Sequence, residues 1–121
     1  MENFRNALFV PHGSPTFALE PGAAGESMSQ LASSLARPRA IVVISPHWDT
    51  AVPNVSTATQ LETIHDFYGF PDALYQIQYP AKGSPEGAQE VVKALQKRFK
   101  QVDTAPSRGL DHGAWTPLRQ M

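Results

Sequence analysis

Four histidines carry most of the chemistry this chain can offer, and each stands beside a residue that bends or frees the backbone. His12 lies in Pro11-His12-Gly13-Ser14-Pro15, after the apolar run Ala7-Leu8-Phe9-Val10. His47 lies in Ser45-Pro46-His47-Trp48, after Ala40-Ile41-Val42-Val43-Ile44. Neutral imidazole is the commonest protein ligand for a transition metal. Two imidazoles just past neighbouring strands converge where open α/β sheets bind their ligands. Each also has a plainer reading: a polar residue ending a strand, satisfied by a carbonyl. Trp48 reads either as a wall of an aromatic-binding pocket or as core. Two imidazoles do not complete a centre, since catalytic zinc takes three protein ligands and non-haem iron oxygenases take two histidines and a carboxylate.

The remaining histidines are open in the same way. His65, in Thr63-Ile64-His65-Asp66-Phe67-Tyr68-Gly69-Phe70-Pro71, has Asp66 beside it as a carboxylate partner or substitute ligand. It reads equally as a loop histidine bonded to backbone. His112, between Asp111 and Gly113, suits proton transfer, with Asp111 orienting the ring. On its own it reads as a surface-loop residue. Ser14 lacks the context of a nucleophile elbow. Gly22 and Gly25 match neither a P-loop nor a dinucleotide fingerprint.

The elements that must position these residues follow from periodicity and punctuation. Asn6–Val10 and Ala40–Ile44 are predicted strands, the second covered on both faces as in a parallel sheet. Between them Ser27–Leu35 is predicted helical, with Met28, Leu31 and Leu35 on one face. Strand, helix and strand in this order form a βαβ unit that brings His12 and His47 to one rim. Asn54–Thr59 is a weaker predicted strand, and 62–71 a loop. The alternation across 73–79 predicts another strand. Ser84-Pro85 opens the clearest helix, with Ala88, Val91, Val92, Leu95 and Phe99 in one stripe. Val102–Thr104 is a further short strand. Residues 107–115 are predicted as loop, with a helix beginning at Thr116-Pro117.

Composition narrows the function classes. A chain of 121 residues with 41% hydrophobic and 17% charged content has the make-up of one globular domain. A net charge of -1 gives no electrostatic case for nucleic acid or an anionic membrane. No apolar run approaches a membrane span, and the polar start Met1–Asn6 lacks a signal-peptide apolar region; a cytoplasmic location is expected. With no cysteine, disulfides, thiolate zinc sites and thiol nucleophiles are excluded, so any metal is held by nitrogen and oxygen.

Four motifs together give the chain a family likeness. Pro-His-Gly-Ser-Pro at 11–15, Ser-Pro-His-Trp at 45–48, Ile-His-Asp-Phe-Tyr-Gly-Phe-Pro at 64–71 and Leu-Asp-His-Gly-Ala-Trp at 110–115 resemble, in order and spacing, the DOPA-dioxygenase-type members of the class III extradiol ring-cleaving dioxygenases. Tyr-Pro-Ala-Lys-Gly-Ser-Pro-Glu at 79–86 fits the same pattern. The resemblance implies a three-layer α/β/α fold around a mixed, mainly parallel sheet. It implies opening of a catechol ring, DOPA-like or a smaller phenolic, with O2 and a non-haem metal. Fe(II) is the expected active metal, and Zn(II) occurs in this branch.

By motif match, the resemblance makes His12 and His47 metal ligands and His112 a catalytic residue that binds or protonates substrate. His65, Trp48, Tyr68, Asp111 and Trp115 become pocket residues. Members of the family are longer, with a third ligand and another active-site histidine in a C-terminal half. Residues 1–121 are therefore expected to form a single, incomplete catalytic domain, completed by a missing half or by a second chain, or assembled as a homo-oligomer. Two alternatives stand beside this. A class II metal chelatase also begins with a strand and His-Gly-Ser, but that pattern leaves His47 and Asp111-His112 unexplained. A catalytically inactive metal-binding fragment is the other.

Overall fold

The computed structural model describes residues 7–121. It is a mixed helix-and-sheet structure that includes a small parallel sheet. A 3-10 turn, Pro15–Ala18, is followed by α1 (Gly22–Ser34), β1 (Asn54–Ser56), β2 (Gln60–Leu61), α2 (Asp72–Gln76), β3 (Ala81–Lys82), α3 (Pro85–Gln96), β4 (Asp103–Ala105) and α4 (His112–Gln120).

One pairing decides where the chemistry goes. β1 and β4 run parallel with Val55 opposite Thr104. The two chains then stay together beyond the strands, to a bridge of Thr63 with Leu110. The Leu110 N–H donates to Glu62 O and the Ile64 N–H to Leu110 O, both at 2.8 Å. Gly109 makes this approach feasible, because a Cβ there would lie 2.1 Å from Glu62 O. The pairing offset tightens by two residues between Ser56–Ala105 and Thr63–Leu110, and just past the bridge Asp66 comes beside His112. β2 pairs antiparallel with β3, Leu61 opposite Ala81.

α3 forms as its sequence predicts: Ser84 Oγ accepts the Gly87 N–H at 3.1 Å, an N-cap followed by Pro85 at the first turn. α1 begins at Gly22, five residues before the expected Ser27, and ends close to the expected boundary. Two predicted elements are corrected. Residues 73–79 do not make a strand; Pro71-Asp72 starts the short helix α2, which drives Leu74 to zero exposure. α4 starts at His112, four residues before the expected Thr116, because its first N–H is capped by a carboxylate from a distant loop.

The predicted strand pair of the βαβ unit is corrected as well. Among the described residues, 7–10 and 40–44 carry no ladder hydrogen bonds, and Asn6 lies outside those residues. Ile41, Val42 and Ile44 are exposed, Ile44 to 93%, and so is Phe9. The apolar pattern is there, but no neighbouring strand among the described residues supplies the pairing that would bury it.

The core forms elsewhere. Ala18, Phe67, Leu74 and Trp115 are buried together, with Phe70, Tyr75, Ile77, Tyr79 and Leu110 packed against them. α4 is the central element, buried from His112 to Pro117 and packed on the 3-10 turn and on α1. No helix among the described residues is long and apolar enough to cross a membrane.

Candidate metal centre

His12 leads into Gly13, whose φ of +60° is a left-handed conformation that costs a side-chain-bearing residue energy. The turn folds the chain back so that Phe17 lies under Gly13, and the His12 ring is left facing the 45–48 loop. There the Nε2 atoms of His12 and His47 come within 3.2 Å. The His112 ring completes the group, with centroids 5.4 Å from His12 and 4.2 Å from His47. One ligand atom from each of the three lies within 4.8 Å of the others. Despite losing their predicted ladders, the two apolar segments thus deliver their histidines to one place.

The donor set fits a metal ion. Two imidazole nitrogens ~2.0–2.1 Å from a tetrahedral centre stand roughly 3.3 Å apart, close to the observed bite. His12 Nδ1 is buried and without a partner. Among the described residues, these three histidines form the group with metal-binding spacing.

Two carboxylates frame the cluster. Asp66 Oδ1 accepts the His112 backbone N–H at 2.9 Å and lies 2.9 Å from His112 Nδ1. The backbone N–H takes the aligned hydrogen bond, and the ring nitrogen approaches the same oxygen at ion-pair distance without that alignment. Partial burial pushes the Asp66 carboxyl upward. Hydrogen bonds from the His112 backbone and side chain and from its own N–H, together with the His112 charge, outweigh this and hold it below the usual carboxylate value. Asp66 therefore serves His112 rather than its neighbour His65.

Asp111, 3% exposed, accepts Ser45 Oγ–H at Oδ1 (2.5 Å) and the Arg108 guanidinium at Oδ2 (2.9 Å). Thr116, fully buried, lies at the back of the site: its hydroxyl donates to His112 O at 2.6 Å and stands 3.4 Å from His12 O.

The other expected pocket residues divide. Trp48 flanks His47, with the Arg108 guanidinium carbon 5.1 Å above its ring. His65 stands outside the histidine cluster: its Nε2 lies 2.8 Å from Ile77 O, and its ring packs 5.7 Å from Trp115. Trp115 has no exposed surface and donates its indole N–H to Ile64 O at 2.9 Å. It is core and not an open wall. Tyr68 is 92% exposed while its neighbour Phe67 is buried. A hollow of about 330 Å³ runs along Arg37, Ile41, Val43, Leu61 and Tyr79, and none of the four histidines borders it.

Sequence reasoning missed Ser45, Arg108 and Gly113 as contributors, and it paired Asp66 with the wrong histidine. The spacing of Leu110-Asp111-His112-Gly113 was visible, but nothing local tells which carboxylate meets which imidazole.

The comparisons agree with this geometry. A family model described as the catalytic LigB subunit of aromatic ring-opening dioxygenase matches residues 6–121. The chain is 42% identical to a 4,5-DOPA dioxygenase extradiol of Beta vulgaris, over 99% of its own length and 46% of the relative's. It is 45% identical to the protein of that name in Escherichia coli K12, over 95% and 42% respectively. To that of Mirabilis jalapa it is 47% identical, over 70% and 32%. It spans less than half the length of these curated relatives.

Proposed function

The chain belongs to the family of the catalytic LigB subunit of aromatic ring-opening dioxygenases, and from that premise we propose that it is the histidine-bearing half of an extradiol dioxygenase that opens the ring of a DOPA-like catechol with O2. The observation that carries the reading is the 3.2 Å approach of His12 and His47 with His112 beside them. His12 and His47 hold the metal, and Fe(II) is the ion we favour, with Zn(II) as a competitor for the same nitrogens. When bound, the ion supplies Lewis acidity that lowers the pKa of a catechol hydroxyl, and open positions for the reactants.

The chain's own residues do the rest. Asp66 holds the His112 backbone by its N–H and lies at ion-pair distance from Nδ1, which leaves Nε2 to take a proton from the catechol or return one. Trp48 offers a flat apolar surface for the ring, and the guanidinium above it sets the polarity of that wall. Thr116 donates its one hydroxyl proton to His112 O and packs against the His12 carbonyl, so the backbones of the donor and the proton carrier lie side by side. The three-layer α/β/α arrangement, a single domain that further chain or a second copy completes, and a cytoplasmic setting belong to the same proposal. Family membership does not favour the chelatase alternative, which also leaves His47 without a task.

The test is catechol binding and oxygen uptake with the chain loaded anaerobically with Fe(II). Catechol binding that depends on the metal and is lost in His12→Ala and His47→Ala supports the reading, and ring-opened product on admission of O2 extends it to turnover. Catechol binding that ignores the metal, or metal uptake unchanged in both variants, overturns it.

A further inference from the structure

The residue at the N-cap of α4 does not cap it. Asp111 has the extended backbone of a cap, φ −76° and ψ 173°, but its carboxylate makes no bond to the helix. An N-cap aspartate ordinarily accepts an N–H of the helix's first turn; here the side-chain acceptor at the start of the helix is Asp66, which takes the His112 N–H. The Asp111 carboxylate, buried, is spent on the 45–48 loop. Its Oδ1 accepts Ser45 Oγ–H, and the same hydroxyl oxygen accepts the His47 backbone N–H at 3.2 Å. Its Oδ2 accepts from Arg108, whose guanidinium covers Trp48.

Ser45 and Trp48 flank His47 on either side. Asp111 therefore grips both flanks, one directly and one through Arg108. Gly113 supplies the room: a Cβ there would lie 2.6 Å from Ser45 Oγ, 2.7 Å from His47 Cδ2 and 3.1 Å from Asp111 Oδ1. The His47 ring thus rests against bare backbone in the first turn of α4.

We propose that Asp111, with Ser45 and Arg108, is a clamp that presets the His47 imidazole for metal binding, so that these three are positioning residues acting through a ligand they do not replace. The proposal rests on the metal-centre reading above. Groups that orient a metal-ligating histidine commonly contribute 10- to 100-fold to metal affinity, and a carboxylate reaching a ligand's loop through a hydroxyl is one way to do this. Without the clamp, the 45–48 loop keeps its sequence and His47 keeps its donor atom, but the ring must be ordered at the moment of binding, which weakens the complex.

Zinc affinity of the full chain, measured by competition with a chromophoric chelator, tests it. The Co(II) absorption spectrum reports donor geometry, and the melting of the metal-free protein reports folding. Ser45→Ala is expected to weaken zinc binding by roughly tenfold and to alter the cobalt spectrum, while the metal-free protein stays folded and melts cooperatively. Asp111→Asn is expected to weaken binding further, and Ser45→Thr, which keeps the hydroxyl, to bind within about threefold of wild type. Wild-type affinity and spectrum in Ser45→Ala overturn the clamp and leave the metal centre standing. So does a loss shared equally by Ser45→Thr, which would trace the effect to loop packing. If the wild type binds no zinc, or His47→Ala binds it as well as wild type, the metal-centre reading fails and the clamp with it.

Discussion

Gly113→Ala separates two effects of opposite sign. Replacing a helical glycine by alanine ordinarily stabilises a helix by about 0.8–1 kcal/mol. At this position the new methyl would stand 2.7 Å from His47 Cδ2 and 2.6 Å from Ser45 Oγ, where ordinary contact begins at 3.4 Å. To restore contact distance the imidazole must retreat by 0.7 Å, the difference between 3.4 and 2.7 Å. Metal-ligand distances tolerate about 0.2 Å, so a displacement of this size takes His47 out of range of an ion still held by His12. Overpacking costs about 1–3 kcal/mol, which cancels or exceeds the helix gain. The expected outcome is a metal-free protein no more stable than wild type, and zinc affinity reduced at least tenfold. Urea melts without metal and chelator competition with zinc measure the two quantities. A variant that is more stable by the full helix increment and binds zinc unchanged would show that the ring does not sit against this turn, and the geometric reasoning would be refuted.

Two further outcomes follow from the carboxylate and the outlying histidine. Asp66 has a lowered carboxyl pKa in the fold, so its stabilisation is fully present above the ordinary carboxylate value and disappears as pH falls through the lowered one. Asp66→Asn keeps an acceptor oxygen but removes the charge, so it should melt below wild type at neutral pH by about 0.3–1 kcal/mol for a carboxylate at a helix N-terminus, and the two should converge on acidification; a gap that widens in acid contradicts the assignment. His65→Ala should lose about 1 kcal/mol from the bond to Ile77 O yet take up metal as wild type does, by elemental analysis; a drop in metal content would bring His65 into the centre.

The convergence of His12 and His47 was legible because each follows an apolar run and precedes a turn, and α3 because its Ser84-Pro85 start is a local signal. What escaped was long-range. The onset of α4 at His112 depends on an oxygen 46 residues away in sequence, so the local pattern pointed to Thr116. The alternation in 73–79 reads as strand only if Pro71-Asp72 is ignored as a helix start. The apolar run 40–44 looks like a covered strand, and the coverage is a property of neighbours that no periodicity records. Gly113 passed as a flexible residue, although its task is to be small where His47 lands.

The uncovered run Ile41–Ile44 also governs handling. A row of exposed β-branched side chains, without ladder partners among the described residues, accepts an extended segment that meets it, its own kind included. Colloidal behaviour of the purified chain is therefore a second-order matter, set by how often molecules collide. Dilution, charged additives or a lysine in place of Ile44 should prolong its life in solution without touching the imidazole group.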